Sequence, residues 1–88
     1  MLLSDEALSF LRELDERQRR RLRSHLGELE IDPFRSRPRA DIRNCGRHHG
    51  FVFYRLRVGK LRAVYMIEGD VVKVTEIFAR GRGYRWLD

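Results

Sequence analysis

The spacing at which apolar side chains recur changes once along this chain, across a segment bounded by Pro33 and Pro38. Before it, Ala7, Phe10, Leu11 and Leu14 recur at i, i+3, i+4 and i+7, and Leu22, Leu26 and Leu29 form a second stripe. Residues three and four apart are neighbours only on a helix, so both stripes predict amphipathic helices. After it, the runs 51–58, 61–67 and 71–78 are rich in Val, Ile, Phe and Tyr and carry period-two alternation, which predicts strands.

The boundaries carry their own signals. Ser4 followed by Asp5 and Glu6 is a hydroxyl cap with two carboxylates where the helix dipole favours them, so a helix is expected over roughly 5–14. Asp15, with Gln18 three residues on, caps a second helix that runs to Asp32-Pro33, and the two read as a helical hairpin. Residues 33–40 form a basic loop, because two prolines five apart disfavour both ladders and helix turns. Ile42-Arg43 begins the strand-like region, and His48 and His49 fall in a Gly-rich turn between Gly46 and Gly50. Gly59-Lys60 and Glu68-Gly69-Asp70 are short turns that make neighbouring strands antiparallel. The fold class expected is α+β: an N-terminal helical hairpin packed on an antiparallel sheet of about four strands, with residues 1–88 as a single domain.

A chain of 88 residues buries only about 60–65% of its unfolded surface, so its core must be thin. With 42% hydrophobic and 36% charged residues, it still belongs among globular chains rather than disordered ones. Nineteen Lys plus Arg against thirteen Asp plus Glu leave +6, and only Lys60 and Lys73 are lysines. Arginine's planar fork matches phosphate oxygens two at a time, so a polyanion is the first expected partner. A solvated surface or a compositional bias toward arginine is the other reading of the total charge, and placement decides between them.

Cys45 is the only cysteine. It permits no intrachain disulfide, and with His48 and His49 it lacks a fourth ligand for a tetrahedral structural zinc site. No metal and no small-molecule cofactor is expected, and a reducing cytoplasm is the expected compartment. No apolar stretch approaches the roughly 20 residues that span a bilayer, so a soluble protein with no membrane partner is expected.

Alternation inside the strands sorts the charges. Tyr54, Leu56 and Val58 point to one face and Arg55 and Arg57 to the other; Arg62 and Val64 oppose Ala63 and Tyr65. A helix pair covers only one face of a sheet. The other is then left open as a basic surface on a rigid platform. Arg17, Arg19, Arg20, Arg21 and Arg23 are spread around the second helix, facing solvent, a protein partner or RNA.

The run Tyr54-Arg55-Leu56-Arg57-Val58-Gly59-Lys60-Leu61-Arg62-Ala63-Val64-Tyr65 resembles the central hairpin of the RelE/ParE toxin superfamily, readable as Tyr-Arg-x-Arg-x-Gly-x-x-Arg-x-x-Tyr. The flanks agree: Leu3-Ser4-Asp5-Glu6-Ala7 leading into a Leu-rich hairpin, a proline at 33, and a closing Arg-x-x-x-Tyr at Arg80 and Tyr84. The resemblance spans nearly the whole chain. It implies a helical hairpin on a twisted antiparallel sheet and a toxin held by a cognate acidic antitoxin. RelE-type members cut mRNA in the ribosomal A site, whereas ParE-type members inhibit DNA gyrase; a silent relative would bind only antitoxin or RNA.

Metal-independent RNA cleavage uses the ribose 2′-OH as nucleophile and needs a proton acceptor, charge stabilisation at phosphorus and protonation of the leaving 5′-oxygen. Arg55, Arg57, Arg62 and Arg80 are the candidates for charge stabilisation, because guanidinium stays protonated; for the same reason none is a base. Tyr84 is the candidate base or stacking platform, against packing on the sheet beside Trp86. RelE-like enzymes often carry a lysine near Phe53, which is apolar here; Lys60 is the nearby amine. Lys60, Arg43 and Arg82 are candidate RNA contacts. For Arg62 the structural alternative is an ion pair with Glu76 or another acid, and for His48 and His49 it is an exposed turn.

Overall fold

Ser4 does two jobs at the start of the chain, and together they dock the first helix on the sheet. In this computed structural model, which describes residues 1–81, the Ser4 hydroxyl accepts from the Ala7 amide at 3.1 Å and donates to the Thr75 carbonyl at 2.6 Å. Its own amide donates to Val74 at 2.9 Å. The helix α1 (Asp5–Glu13) thus begins where the short strand β1 (Leu2–Leu3) ends. Asp5 and Glu6 fill the first turn, where the helix dipole favours carboxylates.

The second helix, α2 (Glu16–Ile31), is capped by Asp15, whose carboxylate accepts from the Gln18 amide at 2.8 Å. Arg19 turns back to the end of α1, donating to the carbonyls of Leu11, Arg12 and Leu14 at 3.2, 3.0 and 2.6 Å. It satisfies orphan carbonyls rather than facing a partner. The last turn of α2 has no basic residue of its own. Arg37, from the Pro-bounded loop, supplies one: its guanidinium donates to the carbonyls of Glu28 at 2.7 Å and Asp32 at 2.8 Å, and lies 3.5 Å from the Glu28 carboxylate. A cation there meets the negative end of the dipole.

The strands β2 (Asp41–His48), β3 (Phe51–Val58), β4 (Leu61–Glu68) and β5 (Val71–Ala79) follow as successive antiparallel hairpins. The sheet has five strands in the order β1-β5-β4-β3-β2, with β1 parallel to β5. The four antiparallel strands are those expected; the parallel edge strand β1 is the addition, because a strand of two residues has no alternation to read. The expected hairpins are all present. β2 runs further than Ile42-Arg43 suggested: a bulge between Asn44 and Arg47, around Gly46 at φ 83°, lets pairing continue to His48 opposite Phe51. Only His49 and Gly50, both at positive φ (54° and 84°), form the turn, as a two-residue type I′ hairpin loop requires. His48 is half-buried in the strand.

Ala7, Leu11, Leu22, Leu26 and Leu29 from the helices pack against Ile42, Leu56, Val58, Ala63, Val74 and Ile77 of the sheet. Each fully buried aliphatic side chain contributes about 1.5–3 kcal/mol from removal from water. Tyr65 is fully buried among them, stacked on Tyr54 at 5.5 Å between ring centroids, and its hydroxyl donates to the Pro33 carbonyl at 2.6 Å. Burial pushes that phenol far above its ordinary pKa, so it remains a donor. No helix among the described residues is long and apolar enough to cross a membrane.

The two arginines that approach Glu28 should differ in their effect on stability. Arg37 is 12% exposed and holds backbone carbonyls, whereas Arg39 is 77% exposed and 3.9 Å from the same carboxylate. Urea unfolding should show Arg37→Ala destabilised by about 2–3 kcal/mol, the worth of charge-assisted bonds to half-buried acceptors. Arg39→Ala should stay within about 0.5 kcal/mol, as exposed pairs do.

Candidate nucleic-acid interface

The sheet face turned away from the helices is set by register. Arg57 lies opposite Asp41 on β2 and Arg62 on β4, while Arg55 lies opposite Arg43 and Val64. Directly opposed side chains on one face have their Cβ atoms about 4.5–5.5 Å apart, and like charges so placed repel. Four of the predicted arginines therefore share one face as two like-charged pairs. Asp41 moderates the crowding: its carboxylate is 2.8 Å from Arg57 Nε and 3.6 Å from Arg55 Nη2.

Arg62 is the most constrained member. Its guanidinium donates to the carbonyls of Gly59 at 2.9 Å and Leu61 at 3.0 Å, so neither Glu76 nor another described acid is its ion-pair partner. Burial lowers its pKa from the ordinary arginine value, and the charges of Arg55, Arg57 and Arg80 lower it further, with Asp41 opposing them. Arg62 thus lies within electrostatic reach of the other three. Arg80 follows β5, and its amide donates to the Lys60 carbonyl at 2.7 Å, which puts Lys60 of the β3–β4 turn beside it.

The face is less open than alternation alone implied. Val64 and Phe78, 1% and 6% exposed, form a small apolar cluster there with Cys45 and Phe53 packed against it. Arg55 is only 16% exposed, and its Nε is buried with no hydrogen-bond partner among the described residues. Burial raises the Cys45 thiol pKa against the opposing charges of Arg55 and Arg43.

The helix arginines divide. Arg17, Arg20 and Arg23 are solvent-facing, and Arg19 is committed to the end of α1. Arg21 reaches the sheet edge: a Cβ added to Gly59, which sits at φ 59°, would meet Arg21 Nη1 at 2.9 Å. It thus carries positive charge from α2 to the Lys60 turn. Tyr84 and Arg82, the remaining predicted site residues, lie outside the described residues. Sequence reasoning missed Asp41, although its strand parity with Arg43 places both on the arginine face.

A rigid array of fixed cations with one internal carboxylate can bind and polarise a phosphodiester; among the described residues Glu76, opposite Val64, adds a second carboxylate whose Oε2 is buried without a hydrogen-bond partner. The array itself matches the charge demands of phosphoryl chemistry.

The fold and sequence agree with known proteins. The family model for the ParE toxin of type II toxin-antitoxin systems, parDE, matches residues 1–84. The archaeal RelE–RelB complex from Pyrococcus horikoshii OT3 contains a chain with TM-score 0.76 and 24% identity, covering 92% of this chain and 93% of that one. The RelB–RelE antitoxin–toxin complex from Methanococcus jannaschii contains another with TM-score 0.68 and 19% identity, covering 90% and 89%. No curated protein matches the chain. The helical hairpin on a sheet is thus the RelE fold, and with the family model matched over nearly its full length, the chain belongs to the ParE toxin family of type II toxin–antitoxin systems.

Proposed function

We propose that this toxin is a ribosome-dependent endoribonuclease of RelE type that cleaves mRNA in the A site and is held in check by a cognate acidic antitoxin. The observation that carries the reading is the convergence of Arg55, Arg57, Arg62 and Arg80 on one sheet face, with Arg62 desolvated and crowded by the other three. Cations gathered at such repulsion gain most from an anion that increases its charge during reaction, as phosphorus does when the 2′-oxygen adds. The 2′-oxygen forms a bond to phosphorus, the bond to the 5′-oxygen breaks, and that oxygen takes a proton from solvent water, leaving a cyclic phosphate and a 5′-hydroxyl. Tyr84 takes the nucleophile's proton, while Lys60, Arg43 and Arg82 hold flanking phosphates. The antitoxin supports itself on the fold comparison, since both similar toxins were solved with RelB partners.

The match to the ParE family model favours a second reading, a non-catalytic inhibitor of DNA gyrase. Toeprinting of mRNA on programmed ribosomes, with gyrase supercoiling run in parallel, separates the two. A toxin silent in both assays but bound by its antitoxin would be a third class.

Arg62→Ala or Arg80→Ala should slow single-turnover cleavage on the order of 10²-fold or more, by analogy with losing one oxyanion donor. Arg17→Ala, exposed on α2, should change it little. Circular dichroism checks folding, and equal losses from helix and sheet variants would mean general affinity rather than a site.

Tyr84→Phe keeps the ring and removes the hydroxyl. If Tyr84 is the base, the single-turnover rate at saturating toxin falls strongly while ribosome affinity holds. If it only stacks, Phe is nearly silent and Ala costs about 1–3 kcal/mol of binding.

A further inference from the structure

The open sheet face does not end at the arginines. In β3 the residues on that face are Phe51, Phe53, Arg55 and Arg57, since Tyr54, Leu56 and Val58 turn to the helices. One strand thus carries two aromatic rings and two guanidinium groups in a single file, each about 6.8 Å from the next at about 3.4 Å per residue. The register widens the aromatic end: His48 lies opposite Phe51 on β2, and on β4 Met66 follows Arg62 and Val64 at every second residue. Phe53 packs on Val64 and Phe78 and so joins the two ends of the file. Phe51 differs from it. It belongs to neither apolar cluster of the core, it is 46% exposed, and among the described residues no ring stacks on it.

We infer that this file is a single-stranded RNA track, in which Arg55 and Arg57 hold the backbone and the base of a nucleotide one or two steps away stacks on Phe51. The inference rests on the nuclease reading above for the identity of the polyanion and adds how its bases are held. Arginine forks match phosphate oxygens. A polyanion that also presents a flat apolar face at each repeat is an unpaired nucleic-acid strand, and rings on a basic platform are how such strands are gripped. A duplex keeps its bases stacked inside and offers Phe51 no face, so the track selects single strands. Every base has a π-face, so the contact tolerates any sequence. Phe51 therefore supplies affinity and aligns the strand over the arginines, without choosing the base.

The test measures fluorescence anisotropy of a short 5′-fluorescein RNA on the full-length toxin at low salt, with every ribose 2′-O-methylated so that no 2′-hydroxyl can attack. A matched RNA carries abasic residues at its central positions and the same number of phosphates. Wild type should bind the base-bearing strand at least about fivefold more tightly, the lower end of what one stacked base contributes. Phe51→Ala should bring the two strands to about the same Kd, whereas Phe51→Trp should keep the preference. Phe51→Leu, which keeps an apolar side chain for the fold, should lose it as Ala does. Arg57→Ala should weaken both strands alike, and Ile31→Ala, which removes an exposed apolar side chain from α2, should change neither. The inference is overturned if wild type binds both strands equally or neither, or if Phe51→Leu keeps the preference. It is overturned as well if Phe51→Ala spares the preference and instead loosens the complex with the adjacent gene's product, which would make the ring a protein contact. Ribosome-bound mRNA left intact by a toxin that keeps the base preference removes the nuclease reading and leaves the track, whereas cleavage without any base preference removes this inference alone.

Discussion

A helical hairpin can cover only one face of a sheet, and this one-sided burial governs the molecule. Strand pleating sends alternate residues to opposite faces, so the side covered by α1 and α2 takes Leu56, Val58, Ala63 and Tyr65, and the residues between them are released from the core. Arg55, Arg57 and Arg62 occupy the released positions. A slip of one residue would bury three guanidinium groups and expose the core set, so the charges that build the candidate site also pin the register that displays them.

Within the Tyr-Arg-x-Arg hairpin, the tyrosines and arginines consequently serve different ends. Tyr54 and Tyr65 stack on the covered side, with Phe34 edge-on to Tyr54 and the Tyr65 hydroxyl on the Pro33 carbonyl. They hold the loop that delivers Arg37 to the end of α2. The arginines, repelling one another on the far side, depend on this packing to stay together, and Asp41 offsets part of the repulsion. The strain of like charges is tolerable because the platform beneath is rigid.

Much of this was legible in the sequence because it depends on short-range rules. Caps at Ser4 and Asp15, the hairpin turns and the two faces of β3 follow from neighbours within four residues. What was not legible depends on distant pairing. Leu2–Leu3 is a strand only because Lys73 and Val74 are there to receive it, and β2 continues past its bulge only because β3 offers partners to Arg47 and His48. The site divides in the same way. Arg55, Arg57 and Arg62 were readable from alternation, but the pairing of Asp41 with two of them, the burial of Val64 and Phe78 on the same face, and the commitment of Arg19 and Arg37 to helix ends all require the folded neighbours.

The arginines also show why a net charge of +6 says little about function until each charge is placed. Arg19 and Arg37 answer backbone carbonyls, and Arg20 answers Glu16 one turn away at 3.1 Å. The first two would be needed by the fold whatever it bound. Arg55, Arg57, Arg62 and Arg80 answer no helix end, and their only described carboxylate partner, Asp41, is shared between two of them. Their charges are therefore left largely uncompensated among the described residues, which is what separates them from the arginines spent on helix ends.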